Sequence, residues 1–177
     1  MTAHLANAPT LETQRFVLRP PKVADFAPLS AFFASERARH VGGPQTGERA
    51  LWNILGHITG HWVLRGFGSF IITAKGEDQA LGMVGPWYPA TWPEKEIGWT
   101  CWDAAREGTG MMTECAEAAL THAFGPLGWT AAVSYIAPDN DRSIRLAEKL
   151  GAYLDPAAAS PGDDPTLVYR HDPERWA

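Results

Sequence analysis

Gly108-Thr109-Gly110 stands between a run that reads as a strand, Glu96 to Trp102, and a helical run that follows it. Where a chain passes through two close glycines into a helix, unpaired backbone N–H groups converge at the positive end of the helix dipole, and a phosphate can sit against them. The donors belong to the backbone, so the site asks for no particular side chain, and glycine lets a ligand approach closely. The same pattern also has a plain reading as an ordinary turn before a helix. Glu96 opens the strand beside a Trp-rich loop, and burial there would raise its pKa into a range useful for accepting a proton. Its plain reading is an exposed strand-end carboxylate. Asn140 and Ser143 fall at the N-cap and N3 positions of a later helix, where both residue types cap well. His57 and His61, four apart on a helix, could share a metal. No acidic or cysteine partner lies near them in sequence, so the metal reading is declined. Trp87, Tyr88, Trp92 and Trp102 could cage a cationic amine or fill the core under a loop.

These residues need a scaffold, and the hydrophobic periods describe one. Gln14 to Arg19 alternates as a half-buried strand ended by Pro20 and Pro21. Asp25 is placed to cap a helix carrying Phe26, Leu29, Phe32 and Phe33, which runs to about Ser35. A second helix begins at Thr46, repeats through Leu51, Leu55, Ile58 and Trp62, and closes at Gly66. Ser69 to Ala74 and Leu81 to Gly85 form a hairpin around a polar turn. After the strand from Glu96 to Trp102, the helix beyond the glycine turn puts Met112, Cys115, Ala119 and Ala123 on one face. A strand at 129–136, a helix led in by Pro138-Asp139-Asn140 with Gly151 past its end, and strands near 152–154 and 166–171 complete the chain. Helix and strand alternation around a central hairpin predicts an α/β (α+β) fold with a mixed sheet covered on both faces.

A chain of 177 residues is large enough for one self-sufficient core, and a single domain over 1–177 with a flexible tail at 1–10 is expected. Hydrophobic residues at 45% and charged residues at 20% exclude disorder and fibrous classes. No apolar run approaches the roughly 20 residues of a membrane span. Cys101 and Cys115 read as small buried hydrophobes, which suits a reducing cytoplasm. With a formal charge of -5 and no basic cluster, nucleic acid is not an expected partner. Before residue 50 there are six Lys/Arg against four Asp/Glu, and nine against sixteen after it, so the acidic part could attract a cationic substrate.

Four segments in order, Leu11-Glu12-Thr13-Gln14-Arg15-Phe16-Val17-Leu18-Arg19, Glu96-Ile97-Gly98-Trp99, the glycine turn, and Pro138-Asp139-Asn140 through Gly151-Ala152, resemble the GNAT N-acetyltransferases. The likeness is to the branch of the ribosomal-protein N-terminal acetyltransferases and covers residue 11 to about 154. It implies a splayed, mostly antiparallel central sheet with helices on both faces. Acetyl-CoA would lie between the strands at 96–102 and 129–136, along Trp99, Thr100, Cys101 and Trp102. Its pyrophosphate would rest on the backbone of Glu107, Gly108, Thr109, Gly110, Met111 and Met112, and Asn140 would contact the cofactor. By the same resemblance Ser143 protonates the departing sulfur, because Ala147 stands where many members have a tyrosine. Glu107 stands where members often have Gln or Arg, Thr109 where the residue is often basic, and Met112 where it is often small; Glu107 is expected to face solvent while its N–H serves.

An amine must lose its proton, at a pKa of about 10, before it attacks a thioester, and Glu96 is the candidate base. A backbone N–H freed by a bulge near Trp99 to Trp102 would hold the oxyanion. The expected function is therefore acetyl transfer from acetyl-CoA to a primary amine, either a peptide N-terminus or a small molecule, without a metal and with a homodimer possible. A non-catalytic acyl-CoA-binding regulatory module is the alternative, and a nucleotide- or phosphate-binding protein of another fold is the third.

Overall fold

A computed structural model describes Leu5 and residues 8–176. The expected tail at 1–10 falls partly outside the described residues; within them, Leu5 and Ala8 pack against the core. The strand runs become β1 (Leu11–Glu12), β2 (Phe16–Arg19), β3 (Phe70–Ala74), β4 (Gly82–Trp87), β5 (Glu96–Cys101), β6 (Ala132–Ile136), β7 (Tyr153–Leu154) and β8 (Leu167–His171). They join in one sheet of order β1-β2-β3-β4-β5-β6-β8-β7. Among the described residues every neighbouring pair is antiparallel except β5 and β6.

Helices α1 (Phe26–Phe33) and α2 (Glu48–Arg65) cover one face, and α3 (Met111–Phe124) covers the other. The side-chain period of two explains the sorting. Ile71 of β3 packs with Leu29, Phe32, Leu51, Leu55 and Ile58. Its neighbours Phe70 and Ile72 pack with Met111, Cys115, Ala119 and Leu120. Because both faces are covered, β3 is buried almost throughout and shows no polar alternation. Met111 and Leu120 are fully buried and contribute roughly 1.5–3 kcal/mol apiece. Helix α4 (Asp141–Lys149) sets Ala147 against Ile136 and Tyr169.

Asp25 does not cap α1 with its side chain. Its buried carboxylate instead accepts from Arg19 Nη1 and Nη2 at 2.9 and 2.7 Å and from the Lys22 N–H at 2.8 Å. A carboxylate so placed gains more from a charged fork than from one helix N–H.

The feature that makes a site is the junction of β5 and β6. These parallel strands share a single register pair, Glu96 with Val133, closed by the Val133 N–H donating to the Lys95 carbonyl at 3.0 Å. One step on, a side chain takes the place of the ladder: Ser134 Oγ lies 2.6 Å from the Ile97 carbonyl and 2.9 Å from His171 Nε2. Burial pushes the pKa of His171 down to about 4, so the ring is neutral. The serine hydrogen goes to Ile97, and Nε2–H of His171 donates to the serine oxygen. Beyond this point the strands diverge into a wedge.

Candidate active site

The wedge exposes one edge of β5. The Lys95 and Ile97 carbonyls both face β6; by the period of two, the N–H groups of Trp99 and Cys101 face the same way, into open space. On the other side β5 pairs with β4 in unbroken register from Gly82/Cys101 to Trp87/Glu96. The edge is thus freed by divergence of two strands, and the bulge expected near Trp99 to Trp102 is not needed.

A cleft of about 1020 Å³ runs from this edge to the start of α3 and on to α4. Gly110 is the N-cap of α3 at φ +81°, a conformation that glycine adopts without strain. The first bond into the helix is Glu114 N–H to the Gly110 carbonyl at 3.1 Å. Among the described residues, the N–H groups of Gly108, Gly110, Met111 and Met112 have no backbone partner. They suit an anion. Arg15 reinforces the turn: Nη1 donates to the Thr109 carbonyl at 3.2 Å, while Glu114 holds its Nε at 2.7 Å.

Glu107 behaves otherwise than expected. Its N–H donates to the Ala104 carbonyl at 3.2 Å. Its carboxylate takes Arg37 Nη2 and Nε at 2.6 and 2.9 Å on one oxygen and Arg142 on the other. Partial burial works against ionisation, yet the two guanidiniums outweigh it and hold this carboxyl below the usual range. Arg37 also donates to the Cys101 and Trp102 carbonyls at 2.8 and 2.7 Å, fixing the end of β5 to the turn. A carboxylate beside an anion site is thereby neutralised.

Glu96 lies with its Oε2 2.6 Å from Trp92 Nε1, which donates to it. Burial lifts its pKa to about 7, against the stabilising donors Trp92 and the Tyr135 N–H. A Cβ on Gly98 would come 3.4 Å from Glu96 Oε1, so the missing side chain leaves the carboxylate room along the strand. Trp99 is three residues on, hence on the opposite face of β5, where its indole N–H donates to Ser143 Oγ at 3.1 Å. The Ser143 N–H in turn donates to Asn140 Oδ1 at 3.3 Å. Ser143 therefore stands at the first turn of α4 with its own hydroxyl hydrogen still to give. Glu96 and Ser143 approach the wedge from opposite faces of one strand.

The acetyltransferase (GNAT) domain family matches residues 15–153. The chain belongs to the GNAT acetyltransferase family. An acetyltransferase from Agrobacterium tumefaciens is 35% identical over 97% of this chain and 98% of that one, with a TM-score of 0.87. A GNAT-family acetyltransferase from Bordetella pertussis is 25% identical over 93% and 99%, at a TM-score of 0.77. The ribosomal L7/L12 alpha-N-protein acetyltransferase RimL, in complex with coenzyme A, shares the fold at 18% identity over 93% and 98%, with a TM-score of 0.73. The GNAT likeness read from four sequence segments thus holds, and the protein is an acyltransferase.

Within this GNAT acetyltransferase the cleft gathers Trp99, Thr100, Cys101, Glu107, Gly108, Gly110, Met111, Met112, Asn140 and Ser143 from the sequence reading. Three residues do not line it. Glu96 lies beyond the lining, at the closed end of the wedge under Trp92. Trp102 is buried in the α1/α2 core with its indole N–H on Thr100 Oγ1 at 2.9 Å. Thr109 closes the turn through its Oγ1, 2.7 Å from the Arg106 carbonyl, and does not line the cleft. The four aromatic residues do not form a cage. Trp87 stacks on His61 at 4.6 Å, Tyr88 lies under Arg65, and Trp92 serves Glu96. Both ring nitrogens of His61 are engaged, Nδ1 with the Phe67 carbonyl and Nε2 with the Tyr88 N–H, each at 2.8 Å. Sequence reasoning missed Arg37, Ser134 and His171. Only the position of Arg142 inside the 138–152 segment could have drawn attention to it.

Proposed function

We propose that the protein transfers the acetyl group of acetyl-CoA directly to a primary amine, a peptide N-terminus or a small molecule, in the cytoplasm. The observation that carries this reading is the placing of Glu96 and Ser143 on opposite faces of β5, with unpaired N–H groups between them. Acetyl-CoA supplies the activated acyl group. Glu96 accepts the proton that the attacking amine must lose, and its raised pKa suits that exchange near neutral pH. The edge N–H of Trp99 takes up negative charge developing on the acyl oxygen, in a position fixed before reaction. Ser143 holds a proton for the sulfur at the positive end of α4, with Trp99 and Asn140 keeping its hydroxyl in place. The partnerless N–H groups of the glycine turn fit the pyrophosphate, and Asn140 lines the same cleft. The RimL neighbour supports testing peptide N-termini beside small amines as acceptors.

Acetyl-CoA at about 100 times its Kd should stabilise the protein by roughly 2.7 kcal/mol, a rise of several degrees in Tm. ATP and NAD at the same concentration should leave Tm unmoved. A shift with those two and none with acetyl-CoA would end the proposal; a shift with acetyl-CoA leads to thiol-release assays across amines. Ser143→Ala should lower kcat by about 10- to 100-fold with the Kd for coenzyme A changed less than about twofold. An unchanged kcat would assign the sulfur's proton to water.

A further inference from the structure

The loop between β4 and β5, residues 88–95, is fastened across the closed end of the wedge. Trp92 donates to Glu96 at 2.6 Å. The Glu94 N–H donates to the Tyr135 hydroxyl of β6 at 3.2 Å. The Glu94 carboxylate accepts from both terminal nitrogens of Arg170 on β8, at 2.8 and 2.9 Å. Arg170 also gives its Nε–H to Asp155 at 2.8 Å, so one guanidinium joins two carboxylates in a fork with little freedom. Arg170 and Asp155 are 22% and 23% exposed, which keeps water from competing fully. The single register pair of β5 and β6 gives the loop little main-chain support on this side. The side-chain fork supplies it.

We propose that Arg170 is a positioning residue that clamps the 88–95 loop, and with it the Trp92 indole, over Glu96 and so fixes the solvation of that carboxylate. The inference rests on the reading of Glu96 as the base. Other groups also border Glu96. Tyr135 meets it from β6, and Gly98 from its own strand. Trp87, its partner on β4, meets α2 through His61, stacked on it, and His57, tilted against it. Lys95 lies over Trp129, 5.2 Å from the ring centroid. Glu94 and Arg170 neutralise one another one layer out. The loop adds the roof, through the Trp92 indole that donates to the carboxylate. Burial is the largest cause of the raised pKa of Glu96 and outweighs the Trp92 donor. Loosening the roof therefore lowers the pKa even though it also removes a hydrogen bond.

The test is a carbon-13 NMR titration of glutamate carboxyls in the full chain, with the Glu96 signal assigned by its loss in Glu96→Gln. Arg170→Met and Glu94→Gln should each lower the Glu96 midpoint by about one unit or more. The acid limb of kcat/KM should move to lower pH by the same amount. Arg170→Lys, which keeps the charge and loses the fork, should fall between. A through-space charge effect predicts opposite signs, upward for Arg170→Met and downward for Glu94→Gln, and that result overturns the clamp. So does an unmoved midpoint in Glu94→Gln, a loop variant that tests the contact even if Arg170→Met folds poorly. A lowered midpoint with an unmoved rate profile upholds the clamp and removes Glu96 from the reaction.

Discussion

Glu96→Gln is expected to lower kcat by roughly 10²- to 10⁴-fold, the range of a lost general base, while the Kd for acetyl-CoA stays within about twofold. The amide keeps the size of the carboxylate and its contact with Trp92 but cannot take a proton. Since a base works only when ionised, and this carboxyl titrates at about 7, kcat/KM of the parent enzyme should fall tenfold per pH unit below that value. It should level off above it. The Gln variant should lose that limb. Thiol release at saturating acetyl-CoA, with amine varied from well below KM to saturation and pH from 5.5 to 9, measures both. An unchanged kcat would take Glu96 out of the mechanism.

The same substitution should raise stability, with a sign that follows from the direction of the pKa. A Glu carboxyl ordinarily titrates at 4.5 and this one at about 7 in the folded chain. Below 4.5 it is neutral in both states and costs nothing. As pH rises through the interval to 7, the unfolded chain ionises first and stability is lost; above 7 the loss is complete, at about 3 kcal/mol. Urea unfolding should therefore show Glu96→Gln more stable than the parent at pH 8 by up to that amount, and level with it near pH 4.5. Such a gain would mark Glu96 as a charge that the fold holds at a cost in stability.

Much of the scaffold was legible because it is periodic. The β3 and β4 hairpin, α2 ending at Gly66, the glycine turn into α3 and the Asn140 cap of α4 each show in local spacing. The contacts that turn the scaffold into a site are not local. Ser134 reaches Ile97 and His171 at a separation of 37 residues, Arg37 reaches Glu107 at 70, and Arg170 reaches Glu94 at 76. No hydrophobic period encodes such pairs. The errors follow the same line. Asp25 looks like a cap until Arg19 comes across from β2, and Glu107 looks solvent-facing until Arg37 and Arg142 close on it. The Trp-rich loop suggested a cage by composition, whereas each ring meets a different partner.

Gly110→Val tests whether the turn itself holds the cofactor. The φ of +81° at this N-cap is strained for any side chain and most for a β-branched one, at about 1–2 kcal/mol. Crowding is not the obstacle, since a Cβ would meet nothing closer than Arg15 Nη2 at 3.5 Å. The variant can relieve the strain by rotating the turn, which withdraws the N–H groups of Met111 and Met112 from the cleft. It can also keep the turn and set an isopropyl group at its edge. Either way the Kd for acetyl-CoA should rise roughly 10- to 100-fold, or about 1.4–2.7 kcal/mol. The kcat at saturation should change little, because Glu96, Trp99 and Ser143 belong to other elements. Gly110→Asn separates the two routes: asparagine tolerates the left-handed conformation, so backbone strain predicts a much smaller loss for Asn than for Val. Equal losses would assign the effect to bulk at the phosphate seat. An unchanged Kd in the valine variant would mean that the pyrophosphate does not rest on this turn, and the placing of the cofactor along the cleft would have to be abandoned.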